Sequence, residues 1–220
     1  MIELRNLTKV FVQNGQRKVV ADNINMVFPS GKSVGLLGHN GAGKSSLLKM
    51  IAGTMDPTSG RVITSGRISW QVGFAGSFHG DLTGLQNTRF IARIYGVDTD
   101  ELATFVEDFA GLGEHFYLPF RTYSTGMKGR LAFGVSMGIH FDTYLIDEVT
   151  AAGDAAFREK SDRYFKARMS QAGAIVVSHG MGLIRSLCTA VAVLNDGELT
   201  YYENVEDGIA VHLSNMAAKR

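Results

Sequence analysis

The sequence predicts an α/β protein built on a mostly parallel sheet, and two observations support this prediction. Short apolar runs bounded by turn residues, at 33–37, 144–146 and 174–178, are typical of strands buried on both faces. Between them, apolar residues recur at the spacing of one helix face, and strands that alternate with helices form parallel sheets. The 220 residues are enough for one globular domain with a sizeable core.

The first third of the chain predicts a group of strands, a glycine-rich loop and one helix. Short strands are expected at 2–4, 19–20, 24–28 and 33–37. The helix is expected to start at Lys44, where apolar residues begin to fall on one face, and to stop at Gly53. Residues 61–75 again predict strand.

The remaining chain predicts a helical insert followed by alternating strands and helices. Apolar residues at helical spacing over 85–112, interrupted at Gly96, indicate the insert. The elements expected after Gly126 are a helix to about 140, a strand at 144–146, a helix at 155–172, a strand at 174–178, a helix at 181–187, strands at 190–194 and 198–202, and a helix at 205–215. This order divides the domain into a core over about 1–75 and 143–220 and a helical part over about 84–142.

Composition and charge exclude several classes of protein. The 22 Lys and Arg residues balance 21 Asp and Glu, so the net charge of +1 provides no field that would draw the chain to nucleic acid or an anionic membrane. The single cysteine, Cys188, cannot form an internal disulfide, which fits a reducing compartment, and its apolar helix face places it in the core. The start lacks a signal-peptide pattern, and no run approaches the roughly 20 apolar residues that span a bilayer. We therefore expect a cytoplasmic protein whose membrane role, if any, is exercised through a partner.

A phosphate-binding loop is the strongest motif in the sequence. Eight residues match the pattern G-x-x-x-x-G-K-[ST] between a predicted strand and a predicted helix, and one serine follows them: Gly38, His39, Asn40, Gly41, Ala42, Gly43, Lys44, Ser45 and then Ser46. Glycines let backbone N–H groups turn towards phosphates, and the helix N-terminus favours negative charge. Lys44 is expected to reach the β- and γ-phosphates, and Ser45 to bind Mg²⁺. The motif predicts ATP or GTP binding.

Two further candidate sites lie downstream of the loop. The strand at 144–146 runs into Asp147 and Glu148, adjacent carboxylates that point in different directions. Asp147 can hold Mg²⁺ through water, and Glu148 can polarise an attacking water. Before the helix expected after Gly126, Ser124 offers a hydroxyl that can bind a second anion or simply cap that helix.

In this order the motifs resemble those of the nucleotide-binding subunits of ATP-binding cassette (ABC) transporters, and the resemblance covers essentially the whole chain. The signature of that family, usually Leu-Ser-Gly-Gly-Gln, corresponds here to residues 123–127. Ser124 and Gly126 are kept, whereas Thr125 and Met127 depart from the usual residues. These two departures from the usual signature narrow the choice of subfamily within the transporter family.

The resemblance implies further site residues. The D-loop of the family ends here at Asp154, and its switch histidine corresponds to His179. The aromatic residue that stacks on adenine corresponds to Phe11. Most relatives carry a Q-loop glutamine in the stretch that corresponds to 73–81, but this stretch has none, and Gln71 is the nearest candidate.

Within the family, the chain is most similar to the ATPases of capsular polysaccharide exporters of Gram-negative bacteria. This resemblance implies a phosphate-loop ABC cassette with a RecA-like core, an N-terminal antiparallel β subdomain and a helical subdomain, binding ATP and Mg²⁺. Lys44, Glu148 and His179 would carry hydrolysis. In a homodimer, Ser124, Thr125 and Gly126 of one copy would close on the ATP of the other, and Asp154 would couple the two sites.

The same resemblance implies partners and a location. The partners are an integral-membrane ABC-2 type permease, periplasmic and outer-membrane capsule export proteins, and a lipid-linked polysaccharide as cargo, with no nucleic acid. The ATPase would lie at the cytoplasmic face of the inner membrane. In the groove around 74–85, where relatives receive a helix of the membrane subunit, the candidate contact residues are Trp70, Phe74, Phe78 and His79. The alternative is that these aromatic residues belong to the domain's own core.

The motifs leave two alternative functions open. An O-antigen or teichoic-acid exporter ATPase would use the same chemistry on another polymer, although O-antigen relatives commonly carry a carbohydrate-binding domain after the cassette. A soluble cassette ATPase that acts on ribosomes or DNA commonly has two cassettes or basic extensions, which this sequence does not show.

Overall fold

The chain forms two compact units. A computed structural model describes residues 1–13, 15–72, 76, 78–147 and 154–218. The first unit takes in 1–71, 141–148 and 171–220, and the second takes in 72–140 and 149–170. Within the described ranges, no helix is both long and apolar enough to cross a membrane.

A small antiparallel sheet opens the first unit. It consists of β1 (Ile2–Gln13), β2 (Gln16–Phe28) and β4 (Ser59–Thr64), in the order β2-β1-β4. This confirms the predicted antiparallel subdomain, although the first two strands are much longer than predicted. Their pairing shifts register near Asn6 and Asn23, which adopt positive φ angles of 47° and 49°. Such irregularities break the alternation of apolar and polar residues, which is why the sequence pattern indicated only fragments.

The main sheet of the first unit is mostly parallel, as predicted. Its strands are β3 (Ser33–Leu37), β5 (Ile68–Gln71), β6 (Thr143–Asp147), β7 (Gly173–Val177), β8 (Ala190–Asn195) and β9 (Glu198–Tyr202). They follow the order β5-β6-β7-β3-β8-β9, and only the β8–β9 pair is antiparallel. Asp196 and Gly197, with φ angles of 50° and 88°, form the predicted hairpin turn between that pair.

The single strand predicted over 61–75 is wrong, because the described part of this segment forms two strands in different sheets. The break falls at Gly66, whose φ angle of 87° favours glycine. A Cβ there would also lie 2.8 Å from the carboxyl carbon of Asp142. The chain turns at this point, and β4 and β5 therefore join different sheets.

Three helices complete the first unit: α1 (Lys44–Ile51), α6 (Met181–Leu187) and α7 (Val205–Ala218). Leu47 and Leu48 of α1 are buried in one core cluster with Leu36 of β3 and Ile175 of β7, so the helix that follows the phosphate loop is anchored to the sheet. Cys188 is buried beside α6, as expected, and burial raises the pKa of its thiol to about 12. It therefore remains a protonated core residue.

The second unit is helical. Its described part contains α2 (Gly84–Tyr95), α3 (Thr99–Ala110), α4 (Thr125–Gly138) and α5 (Ala155–Met169), with short 3₁₀ segments at Gly113–Tyr117 and Phe120–Thr122. Phe157 and Tyr164 of α5 pack edge-on against Phe109 of α3, with ring centroids 5.6 and 5.0 Å away. These contacts group α5 with the helical unit, whereas the division drawn from the sequence placed it in the core.

Candidate functional site

The glycine loop between β3 and α1 has a backbone path that only glycine permits at two positions. A Cβ at Gly38 would lie 2.5 Å from the carbonyl oxygen of Leu194. Gly43 has a φ angle of 110°, and a Cβ there would lie 2.8 Å from Cβ of Val20. The loop is therefore fixed against β8 on one side and β2 on the other.

The loop presents donors suited to an anion. α1 begins at Lys44, and no described side chain caps its N-terminus, so backbone N–H groups of its first turn are available to a ligand. The Lys44 ammonium donates to the carbonyl oxygens of Gly38 at 2.7 Å and His39 at 3.1 Å. The lysine thus lies over the loop that it is predicted to serve.

A carboxylate meets the loop from the end of β6. The Asp147 carboxylate accepts a hydrogen bond from the Ser45 hydroxyl at 3.2 Å and another from the Gln71 amide at 3.3 Å, both on the oxygen Oδ2. Among the described residues, there is no cluster of three or more His, Cys, Asp or Glu side chains that could form an all-protein metal cage. A hydroxyl and one carboxylate instead make a partial set of hard oxygen donors, which suits Mg²⁺ shared with phosphates.

Gln71 reaches Asp147 because of an irregularity between β5 and β6. The register of this parallel pair shifts between Ile68 and Gln71. In the gap, the buried Ser69 hydroxyl accepts the hydrogen bond of the Leu145 backbone N–H at 2.9 Å. The shift re-aims the end of β5, and the sequence showed no sign of it.

Lys44, Ser45 and Asp147 line one pocket of about 1150 Å³ in the first unit, whereas Gln71 is not part of its wall. The predicted site residues in its wall are Phe11, Asn40, Gly41, Gly43, Lys44, Ser45, Ser46, Asp147 and His179. His179 lies two residues beyond the end of β7, and Phe11 lies on β1. The Lys9 ammonium lies 5.2 Å from the centroid of the Phe11 ring, which is 37% exposed. The pocket therefore has an aromatic group in its wall in addition to the phosphate loop.

Behind the loop lies a histidine that the sequence analysis missed. His212 of α7, which is only 8% exposed, lines a narrow crevice together with Gly38 and His39. Burial lowers the pKa of His212, and electrostatic interactions with Lys44, His179 and His39 lower it further. A neutral imidazole therefore lies behind the phosphate loop. No local motif marks it, because helix packing alone brings it there.

The predicted signature lies in the second unit. Ser124 caps α4 by accepting a hydrogen bond from the Met127 backbone N–H at 3.3 Å, which is the role that the alternative interpretation gave it. Ser124 and Gly126 also line a pocket of about 350 Å³ that includes Arg130. The Arg130 guanidinium lies 2.8 Å from the Asp154 carboxylate, so the signature helix and the start of α5 are joined by an ion pair.

Asp154 is held ionised in this arrangement. Its carboxylate accepts a hydrogen bond from the Phe157 backbone N–H at 2.9 Å, which caps α5. That bond, and next the contact with Arg130, lowers the pKa of Asp154. Thr125 is the first residue of α4 and is exposed.

The other predicted residues have different outcomes. Glu148 and Phe74 lie outside the described residues. Trp70 packs edge-on against Phe141, with ring centroids 5.6 Å apart, and Phe78 packs against Phe120 at 5.2 Å. Both are half-buried. His79 is exposed, and its backbone N–H donates to the Asn87 amide oxygen at 2.8 Å.

The strand–loop–helix geometry and the contact between Ser45 and Asp147 define a phosphate-loop nucleotide-binding protein. Residues 21–151 match the family model described as ABC transporter, and the chain belongs to that family. Membership confirms the predicted family and implies the binding and hydrolysis of ATP.

Named relatives extend over nearly the whole chain. The chain is 47% identical to the polysialic acid transport ATP-binding protein KpsT of Escherichia coli, over 95% of each sequence. It is 39% identical to the capsule polysaccharide export ATP-binding protein CtrD of Neisseria meningitidis serogroup B, over 94% of this chain and 95% of the relative. Its fold resembles that of the ATP-binding cassette MJ0796, solved as a dimer in a post-hydrolysis state bound to ADP and Pi, with a TM-score of 0.75 at 23% identity over 91% of this chain and 97% of the other. The predicted ABC cassette fold is thereby confirmed.

Proposed function

We propose that this chain is the ATP-hydrolysing subunit of an exporter that moves capsular polysaccharide across the inner membrane. The observation that carries the proposal is the full-length identity of 47% and 39% to proteins named for polysialic acid transport and capsule polysaccharide export. The pocket around the phosphate loop supplies the chemistry that such a subunit requires. We also propose that the chain forms one ABC ATPase domain, which consists of a RecA-like core and a helical subdomain.

ATP would bind along the pocket of the first unit. Phe11 would stack on the adenine, since its ring is part of the pocket wall and partly exposed. Backbone N–H groups of residues 38–46 would surround the phosphates, and Lys44 would exchange its two loop carbonyls for β- and γ-phosphate oxygens. Phe11 and Lys44 already line the pocket.

The residues at the end of β6 fit Mg²⁺. Ser45 and Asp147 would hold the ion, with Gln71 orienting the carboxylate through its amide. When bound, Mg²⁺ would offset the negative charge that develops on the phosphates. The donor set is incomplete without phosphate oxygens, as expected for an ion that arrives with the nucleotide.

Glu148 and His179 are the proposed catalytic side chains around the γ-phosphate. Glu148 follows Asp147 in the chain and would orient the attacking water. His179 lines the pocket from the end of β7 and would contact the γ-phosphate.

A homodimer would supply the remaining contacts. One copy has one phosphate loop and one signature, so Ser124, Thr125 and Gly126 of a second copy would close on the γ-phosphate. The exposed signature turn and the adjacent pocket with Arg130 support this proposal. Asp154, paired with Arg130, would couple the two sites.

The proposed partners are an ABC-2 type permease, through which the ATPase would attach to the cytoplasmic face of the inner membrane, and periplasmic and outer-membrane capsule export proteins. The cargo would be a lipid-linked polysaccharide. Trp70, Phe78 and His79 stay candidates for the permease contact, since His79 is exposed and the two aromatic side chains are only half-buried despite their internal contacts.

The test combines a chemical and a cellular measurement on Glu148→Gln, with Glu159→Gln on the exposed face of α5 as the matched control. Glu148→Gln should keep ATP binding, dimerise in MgATP and lose about 10² to 10⁴ of the ATPase rate. In native cells that lack the chain, the parent and the control should restore surface polysaccharide, and Glu148→Gln should not. Its MgATP-trapped form should co-purify with a polytopic membrane protein.

Several outcomes would contradict parts of this proposal. Normal ATP turnover by Glu148→Gln would remove the general-base assignment. Loss of O-antigen or teichoic acid instead of capsule in the deletion strain would assign the alternative polymer. Co-purification with ribosomes or other soluble partners, and no membrane protein, would overturn the transport assignment.

A further inference from the structure

We propose that Lys18 is a second cationic ligand for the phosphate chain of the nucleotide, contributed by β2 and not by the phosphate loop. The inference rests on the proposed function, because it assumes that ATP or ADP occupies the pocket of the first unit. No motif in the sequence singles out this residue.

The register of the hairpin brings Lys18 to the pocket. Lys18 pairs directly with Phe11 across the β1–β2 ladder, and both side chains line the pocket. Directly paired residues of an antiparallel ladder lie on the same face. The residue proposed to hold the adenine and the lysine therefore share one wall.

The Lys18 ammonium lies at the tip of the phosphate loop. A Cβ placed on Gly41 would be 3.5 Å from Lys18 Nζ, so the ammonium occupies the space directly beside this glycine. Two residues along the same strand, Val20 lies against Gly43 so closely that a Cβ there would be 2.8 Å away. Lys18 and Val20 both line the pocket, so this stretch of β2 lies against the phosphate loop.

The ammonium group of Lys18 has N–H donors available for a ligand, whereas those of the nearby Lys44 and Lys9 donate to backbone carbonyls. The Lys44 ammonium donates to two loop carbonyls, and the Lys9 ammonium donates to the Asp56 carbonyl at 2.7 Å. In the part of the chain that the structure describes, the Lys18 ammonium has no hydrogen-bond or ion-pair partner. An ammonium with three N–H donors, held beside a loop built for anions, is matched by phosphate oxygens.

The expected size of the effect follows from simple electrostatics. An ammonium about 4 Å from one phosphate charge in a partly exposed pocket should change affinity by about tenfold at low salt. Because the pocket is open to solvent, added salt should screen most of this contribution.

The experiment measures the dissociation constants of ATP and ADP for the full chain, at about 0.05 M and 0.5 M salt, by titration calorimetry. Lys18→Gln should weaken both nucleotides about tenfold at low salt and by less than about threefold at high salt. Lys18→Arg should stay within about threefold of the parent, because it keeps the charge. The matched control is Arg17→Gln, which removes the same charge from the neighbouring residue on the other face of the strand and should change affinity less than twofold.

Three outcomes would overturn the inference. Equal affinities for Lys18→Gln and Arg17→Gln would show that the charge has no special position. A loss for Lys18→Gln that is independent of salt, or that Lys18→Arg shares, would indicate a change of pocket shape and not a phosphate contact. Lys44→Gln separates this failure from that of the proposed function: a parent that does not bind ATP, or a Lys44→Gln variant that binds it equally well, would overturn both proposals together.

Discussion

Replacing Gln71 by Met removes the amide that donates to Asp147 and keeps the length of the side chain. The amide nitrogen lies 3.3 Å from the carboxylate oxygen that also accepts from Ser45. A hydrogen bond to a charged group contributes about 1.5 to 3 kcal/mol, and the length of this one places it near the lower value. Since about 1.4 kcal/mol is a factor of ten, kcat/KM for MgATP should fall about tenfold in Gln71→Met.

The assay is the initial rate of ATP hydrolysis at fixed ATP and increasing Mg²⁺. If Gln71 orients the carboxylate, the loss should appear mainly as a higher half-saturating Mg²⁺ concentration, and excess Mg²⁺ should recover part of the rate. Gln171→Met, at an exposed position before β7, is the matched control. A Gln71→Met enzyme whose kcat/KM and Mg²⁺ dependence stay within twofold of the control would refute the role inferred from the contact.

Two further predictions concern stability. Because the pKa of His212 is lowered by burial and by neighbouring charges, the unfolded chain binds the extra proton first, so the free energy of unfolding should fall as pH drops below the ordinary value of 6.5. Urea unfolding at pH 7.5 and 5.5 should show a smaller fall for His212→Gln, and an identical fall would contradict this. Gly138→Ala should lower the free energy of unfolding by about 1 to 3 kcal/mol, because its Cβ would lie 2.8 Å from Phe105 Cδ1 in α3. Gly182→Ala in α6, which meets nothing within 4 Å, should raise it by about 0.5 kcal/mol, and thermal midpoints that move in the same direction would refute the packing argument.

The sequence pattern predicted those strands and helices whose bounds are set by residues nearby in the chain. The strand at 33–37, which lies between glycines, and the helix at 181–187, which follows Gly180, have the bounds expected from their residues. β1 was predicted too short because Asn6 turns the backbone into the left-handed region inside the strand. The break at Gly66 was missed because its cause, the nearby Asp142 side chain, is distant in the sequence.

The candidate site divides in the same way. The residues of the phosphate loop were found because the motif encodes its own backbone path, and the structure brings Lys44, Ser45 and Asp147 together. Lys18 and His212 could not be found from the sequence, because a hairpin register and a helix packing bring them to the loop. Gln71 was named only as the nearest glutamine, and its contact with Asp147 depends on a shift of strand register.

The order of the strands in the main sheet determines the distances between the residues of the nucleotide site. β6, β7 and β3 are neighbours, and hydrogen-bonded strands lie about 4.8 Å apart. Asp147, at the end of β6, is therefore two strand spacings away from β3, the strand that leads into the phosphate loop. The hydroxyl of Ser45 in α1 nevertheless reaches the Asp147 carboxylate, and His179 follows the end of β7, the strand between β6 and β3. Because backbone hydrogen bonds set these spacings, the substitution of a single side chain does not change them. A lineage of such proteins could therefore exchange the surfaces that meet a new partner or polymer while the dimensions of the nucleotide site stay constant.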